Sequence, residues 1–176
     1  MEHFYKNIRG WCTFQKLYSD MVANGESGDI FVELGAFNGQ SAAYMAVEII
    51  NSKKDIKFYC IDTWLSHDNT LDMFLQHTRP VKDYIIPIKG SSLIEVDQFK
   101  DNSLKFVFID SSHEYDDVKN ELEKWYPKIK AGGVLAGHDY HHQGLWAGVG
   151  KAVDEFCEKN NIKLTPIGQL SWCIQK

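Results

Sequence analysis

Short apolar runs alternate with helical patterns along this chain, and that alternation restricts the folds open to it more than any other feature. The runs are IFVEL (30–34), KFYCID (57–62), YIIPIKG (84–90), LKFVFID (104–110), GVLAGHD (133–139), IKLTPI (162–167) and LSWCIQK (170–176). Between them, Ala42, Met45, Ala46 and Ile49 recur at helical spacing, and LDMFLQH reads as a helix. Val118, Leu122, Trp125 and Ile129 make one apolar stripe on a helix that Gly132 and Gly133 are expected to end, and VGKAVDEFCEKN supplies another helix. Runs without clean polar alternation, followed by helices, imply a parallel sheet covered on both faces, with right-handed crossovers. The last two runs are joined only by a short turn at Gly168 and Gln169, so they should pair antiparallel. The expected fold is α/β and doubly wound, with seven strands.

A chain of 176 residues can bury a full core as one domain, and its hydrophobic fraction of 44% is that of an ordinary globular protein. Cys12, Cys60, Cys157 and Cys173 form no CxxC pair, and Cys60 and Cys173 lie inside apolar runs; reduced, structural thiols and a cytoplasmic location are expected. No run approaches the ~18 apolar residues of a membrane span. The net charge is −5 with lysines scattered among acids, a field that repels polyanions and gives no support to a nucleic-acid partner.

In an open parallel sheet, ligands sit beyond the carboxyl ends of the strands. Polar residues cluster there: Glu33 closes the first run, Asp62 the second, Gly90, Ser91 and Ser92 the third, Asp110 the fourth, and His138 with Asp139 the fifth. After the first run comes a turn, Gly35 to Gly39, where one glycine lets backbone approach a ligand and the next exposes helix-start amides to an anionic group. Gly39-Gln40-Ser41 lacks the lysine of a phosphate-binding P-loop. Phe37 stands where a dinucleotide fingerprint has its middle glycine, although Asp62 is placed to accept hydrogen bonds from ribose hydroxyls.

These residues resemble a known family. VELGAFNGQSAAYMA looks like the first motif of class I S-adenosylmethionine-dependent methyltransferases, in particular of the catechol O-methyltransferase-like and macrocin (sugar) O-methyltransferase-like branches. CIDTW, KGSS, FVFIDSSHEYDDV, GGVLAGHDY and SWCIQK follow in the family's order, so the resemblance spans roughly residues 28 to 176. It implies a Rossmann-like, mostly parallel seven-stranded sheet with an antiparallel C-terminal strand. Residues 1–27 would form an N-terminal helical segment packing on or capping the site, and 28–176 the methyltransferase domain.

The resemblance also implies roles. Glu33 would help hold the methionine amino end of S-adenosylmethionine; Gly35, Gly39 and Ser41 would receive the methionine moiety; Asp62 would bind ribose, with Trp64 near the adenosine and Ser91 and Ser92 at adenine. Asp110, His138 and Asp139 match the positions that hold a divalent metal, Mg²⁺ or Mn²⁺, with Asp110 bordering the cofactor pocket, and His113 matches a catalytic base. A bound cation lowers the pKa of an acceptor hydroxyl while a nearby base takes its proton. The family commonly has Asp-Asp or Asp-Asn where this chain has His138-Asp139. With His141 and His142 following, the loop suits a softer ion such as Mn²⁺, Fe²⁺ or Zn²⁺, or else His138 does not ligate.

The resulting expectation is methyl transfer to a hydroxyl of a small molecule, a sugar or similar polyol by family analogy, by a chain that could form a homo-oligomer. Trp11, Tyr140 and Trp146 are candidates for the acceptor pocket, with burial or a subunit contact as the other explanation. Two rival readings stand. An NAD-dependent oxidoreductase would suit Asp62, but the nearby YxxxK, Tyr126 to Lys130, lies at the end of the core helix. A non-catalytic S-adenosylmethionine-binding module would not need Asp110, His113 and Asp139.

Overall fold

The structure, a computed structural model, describes residues 1–66, 69–141 and 146–176, with only the backbone of Asn69. Two compact units divide the chain, Met1–Ser91 and Ser92–Lys176.

The first unit opens with a 3-10 turn at Tyr5–Asn7 and helix α1 (Gln15–Asn24), then runs β1 (Ile30–Leu34), α2 (Gln40–Ser52) and β2 (Lys57–Asp62). A two-strand hairpin, β3 (Leu65–Ser66) and β4 (Asn69–Thr70), leads into α3 (Leu71–Thr78), a 3-10 stretch at Arg79–Tyr84 and β5 (Ile86–Lys89). β1 pairs parallel with β2, placing Glu33 opposite Cys60, and β2 pairs parallel with β5, placing Asp62 opposite Lys89. Four of the five β1 residues are buried, as a strand covered on both faces requires. The spacing of Ala42, Met45, Ala46 and Ile49 produces the expected result: all four lie on the buried side of α2. Thr70 Oγ1 caps α3 by accepting from the Met73 amide at 3.2 Å.

The second unit runs α4 (Ser92–Glu95), a 3-10 turn at Val96–Gln98, β6 (Leu104–Ile109), α5 (Tyr115–Trp125), a 3-10 turn at Tyr126–Lys128, β7 (Ile129–Gly137), α6 (Ala147–Asn160), β8 (Leu164–Ile167) and β9 (Ser171–Gln175). β6 and β7 are parallel, while β9 pairs antiparallel with both β7 and β8, so the closing runs meet as expected. Val118, Leu122 and Trp125 form the buried stripe of α5.

One boundary differs from the sequence expectation. The stripe helix ends at Trp125, not at Gly132 and Gly133, and Ile129 is the first residue of β7. Pro127 has no amide to donate back along the helix, so the ladder stops there. The glycine pair instead belongs to an irregularity in β7, where the register jumps from Leu104↔Ile129 to Phe106↔Val134. Gly132 takes a φ of 73° and donates to the Lys176 carbonyl at 2.7 Å, which a bulge of this kind permits.

The seven main strands form a sheet in the order β5-β2-β1-β6-β7-β9-β8. It is mostly parallel, with antiparallel C-terminal strands, and its helices alternate with the parallel strands, a Rossmann-like arrangement. No helix among the described residues is long and apolar enough to cross a membrane.

Candidate functional site

In the first unit, polar groups gather where β1 and β2 end. The turn between β1 and α2 departs into left-handed backbone at every other residue, Gly35 at φ 85°, Phe37 at 44° and Gly39 at 89°. Gly39 is required twice over, by its φ and because a Cβ there would lie 2.6 Å from Thr78 Cγ2. As N-cap of α2 it carries no side-chain cap, so the first amides of that helix, at Gln40 and Ser41, keep their donor capacity for a ligand.

Asp62 fixes this turn to the end of β2. Its Oδ2 accepts from the Phe37 amide at 2.9 Å and its Oδ1 from the Trp64 amide at 2.8 Å. Each oxygen retains a lone pair after one such bond, which is what two ribose hydroxyls would use. Trp64, buried and at φ 45°, donates its indole N–H to the Phe37 carbonyl at 2.9 Å and packs on Phe74. Glu33 is buried, accepting from the Tyr18 hydroxyl at 2.9 Å on one oxygen and contacting Cys60 Sγ at 3.5 Å on the other.

In the second unit, Asp110, His113 and Asp139 offer two carboxylate oxygens and an imidazole nitrogen within 4.8 Å of one another. His113 Nε2 lies 3.0 Å from Asp139 Oδ2 and 3.9 Å from Asp110 Oδ1. His138, buried, brings Nδ1 to 3.2 Å from the same Asp139 oxygen. Asp139 adopts left-handed backbone at φ 60°, an uncommon state for a non-glycine residue, and the strand end turns there to aim its carboxylate between the two rings. Trp146 stacks on His113 with centroids 4.7 Å apart, which fixes the plane of the imidazole.

The electrostatics follow from this crowding. Burial pushes the Asp110 carboxyl up to about 6, with the Asp139 charge adding to it and the two imidazoles opposing. Burial also disfavours charge on Asp139, but hydrogen bonds from His113 and His138 outweigh it and hold that carboxyl below the usual carboxylate range. The Asp139 hydrogen bond raises His113 above its ordinary value against the opposing effect of burial. His138 is raised too: burial lowers it, and the Asp139 bond and the acid charges prevail. The trio offers two carboxylates and an imidazole, a mixed oxygen–nitrogen donor set of the kind that suits Mn²⁺, Fe²⁺ or Zn²⁺. The sequence reading separated a metal set (Asp110, His138, Asp139) from a base (His113); the geometry groups His113 with the two acids, and His138 shares the same Asp139 oxygen and acts on the Asp110 carboxyl through its charge.

Ser92 begins α4, and its hydroxyl donates to Glu121 on α5; Ser111 Oγ donates to the same oxygen, Glu121 Oε1, at 2.5 Å. Burial raises the Glu121 carboxyl to about 7, despite these two hydroxyls. Sequence reasoning missed Glu121, although the signal is present: it stands three residues after Val118, on the face of α5 that Val118, Leu122 and Trp125 bury. It also missed Gln40, whose side chain binds the N-terminal segment from the first position of α2. Of the loop histidines, His141 is exposed and stacks edge-on with Tyr140, while His142 lies outside the described residues. Tyr140 is tied by its hydroxyl to Asp154 at 2.5 Å.

Comparison with known proteins adds the following. The signature of a methyltransferase-domain family matches residues 32–140. The chain is 23% identical over 126 residues to the uncharacterised protein y4gI of Sinorhizobium fredii, covering 65% of this chain and 14% of that protein, so it spans about one seventh of the curated relative's length. The O-methyltransferase NovP superposes with a TM-score of 0.74 at 18% identity, over 98% of this chain and 78% of NovP. A Clostridium thermocellum protein provisionally named an rRNA methylase gives 0.71 at 15% identity, over 96% and 99% of the two chains. At such identities the likeness shows a shared fold.

Proposed function

The chain belongs to the methyltransferase-domain family, and from that premise we propose that it transfers a methyl group from S-adenosylmethionine to a hydroxyl oxygen of a small molecule, with a divalent cation assisting. The observation that carries this reading is the trio Asp110, His113 and Asp139, with Nε2 of the ring 3.0 Å from an ionised carboxylate. Such a pairing is what a proton-accepting imidazole needs for orientation.

The first unit supplies the cofactor cradle in this reading. The uncapped start of α2 receives the methionine carboxylate, Asp62 the ribose hydroxyls and Glu33 the methionine ammonium, while Ser41, Trp64 and Ser91 complete the contacts. When bound, S-adenosylmethionine supplies an electrophilic methyl carbon, and a divalent cation supplies a positive charge that acidifies the acceptor hydroxyl.

The second unit supplies proton handling. With Asp139 ionised, the proton shared across the 3.0 Å contact sits on Nε2 of His113, so the ring takes the acceptor's proton at Nδ1. Asp139 stabilises the imidazolium that results, and the Trp146 stack keeps its plane fixed. The ring's two nitrogens thus divide the work, Nε2–H toward Asp139 and Nδ1 toward the acceptor. Asp110 and Asp139 would hold the cation through their carboxylate oxygens.

A sugar or similar polyol is the preferred acceptor, in keeping with the branches that the motifs resemble. An RNA acceptor is disfavoured by a net charge of −5. Purified protein incubated with S-adenosylmethionine and a panel of sugars, polyols and phenols, with Mn²⁺, Mg²⁺ or a chelator, tests the reading by mass spectrometry. Formation of S-adenosylhomocysteine and a product heavier by one methylene, lost in His113→Ala, supports it. Turnover undiminished in His113→Ala, or methylation of nitrogen or carbon instead, would contradict it.

A further inference from the structure

We propose that Glu121 is a positioning residue of the candidate site: through the Ser111 hydroxyl it sets where the Asp110 carboxylate and the His113 ring stand against Asp139. The proposal rests on the reading of those three groups as the centre that handles the cation and the proton, and deepens it.

The segment from Asp110 to Glu114 belongs to neither neighbouring element, since β6 ends at Ile109 and α5 begins at Tyr115. Two of the three groups of the site, Asp110 and His113, stand on it, and both must meet a carboxylate that comes from the end of β7. Serine hydroxyls tie the segment to α5. Ser111 Oγ donates to Glu121 Oε1 at 2.5 Å. Ser112 Oγ donates to Asp117 Oδ2 at 2.7 Å while accepting from the Glu114 amide at 3.3 Å. Asp117 and Glu121 are one turn apart on α5, so consecutive serines are drawn to successive turns of the same helix.

The two ties differ in strength. The Ser112 bond is exposed and competes with water, whereas the Ser111 bond ends on a residue only 2% exposed. The Glu121 carboxyl is fixed in its turn. Ser92 Oγ donates to the same oxygen, and the Ser92 carbonyl accepts from Nε1 of the fully buried Trp125 at 3.2 Å. Lys124 Nζ donates to the next carbonyl, that of Leu93, at 2.7 Å. A continuous hydrogen-bonded path therefore runs from the core of α5 through Ser92 and Glu121 to Ser111, the residue that follows Asp110.

A carboxyl is a costly side chain for this place. Val118, Leu122 and Trp125 are buried on the same face of α5, and an apolar residue at 121 would extend that face without desolvating a polar group. What Glu121 supplies and leucine cannot is an acceptor for two hydroxyls at once. Both bonds fall on Oε1, and Oε2 has no partner among the described residues, so the link asks for one acceptor atom and not for a charge. Cation ligands and hydrogen-bonded rings must be held within about 0.5 Å of their working geometry, which gives a buried tie next to Asp110 leverage on the whole site.

The test is titration of the purified full chain with Mn²⁺ alone, alongside the ring nitrogen shifts of His113 in NMR, which report its bond to Asp139. Glu121→Leu, similar in volume but without an acceptor, and Ser111→Ala should each weaken Mn²⁺ binding about tenfold and move the His113 shifts. The double variant should be no weaker than the worse single one, because both changes break one link. Glu121→Gln keeps the acceptor atom and should stay within about twofold of the parent in Mn²⁺ affinity. Val118→Ala loosens the packing of α5 without touching the link, and should also stay within about twofold. If Glu121→Leu does not fold, Ser111→Ala carries the test by itself. Mn²⁺ affinity and His113 shifts unchanged in Ser111→Ala, a loss in Glu121→Gln as large as in Glu121→Leu, or a loss in Val118→Ala as large as in Ser111→Ala would overturn the proposal. A parent protein that binds no Mn²⁺ contradicts the cation reading alone, and the His113 shifts in Ser111→Ala then decide the role of Glu121.

Discussion

His113 and Asp139, 26 residues apart in sequence, meet at 3.0 Å, and Asp139 reaches that position through left-handed backbone at φ 60°. The bond raises the imidazole and lowers the carboxyl, so each group favours the charged form of the other.

Asp139→Asn removes that charge while keeping a residue that tolerates left-handed backbone. The pKa of His113 should fall toward its ordinary value, followed by its ring proton shift in an NMR titration. Mn²⁺ binding should weaken at least about tenfold. Asp139→Ala should also lose about 1–2 kcal/mol of stability from the backbone alone. An unchanged His113 titration in Asp139→Asn would show that the contact does not set its protonation.

Glu121 gives a pH prediction for stability. It is buried, Oε1 receives two serine hydroxyls, and among the described residues Oε2 has no hydrogen-bond partner. Its folded pKa is raised to about 7 from 4.5, so the native state holds this proton more tightly than the unfolded chain. Stability from this group is fully present below pH 4.5 and is lost as pH rises through about 7, a cost on the order of 3 kcal/mol above that range. Glu121→Gln should therefore flatten the pH dependence of urea unfolding between those values and be the more stable protein at pH 8. A variant less stable than the parent at pH 8 would show that the serine bonds need the carboxylate.

Gly39→Ala meets two obstacles, a φ of 89° and a Cβ 2.6 Å from Thr78 Cγ2. The loss expected in chemical unfolding is about 2–4 kcal/mol. Thr78→Ser removes the offending methyl and keeps the hydroxyl that donates to the Phe74 carbonyl at 2.7 Å. In the Gly39→Ala background it should restore the packing share and leave the backbone share, so the double-mutant cycle separates the two.

Much of this fold is legible in the sequence because the parallel strands are buried on both sides and read as unbroken apolar runs. IFVEL and KFYCID match β1 and β2 residue for residue. The helix end at Trp125 is not legible in the same way: Pro127 and the pair Gly132-Gly133 both carry stop signals, and only the register with β6 shows that the glycines make a bulge. The hairpin at Leu65–Ser66 and Asn69–Thr70 has strands too short for any periodicity. The acids at the strand ends follow from topology, so Asp62, Asp110 and Asp139 could be picked out in advance. How the rings join them could not: His113 and His138 both reach the same Asp139 oxygen, at 3.0 and 3.2 Å, beside the left-handed turn at Asp139 and the Trp146 stack, neither of which has a local signature.

The central claim is that this chain binds S-adenosylmethionine through the turn fixed by Asp62. Calorimetric titration of the purified protein with S-adenosylhomocysteine, with NAD⁺ in parallel, tests it most directly. The expected result is a single site with a Kd on the order of micromolar, weakened more than about tenfold in Asp62→Asn and lost in Asp62→Ala, with no heat from NAD⁺. A folded protein that leaves S-adenosylhomocysteine unbound, or that binds NAD⁺ in its place, would contradict the account.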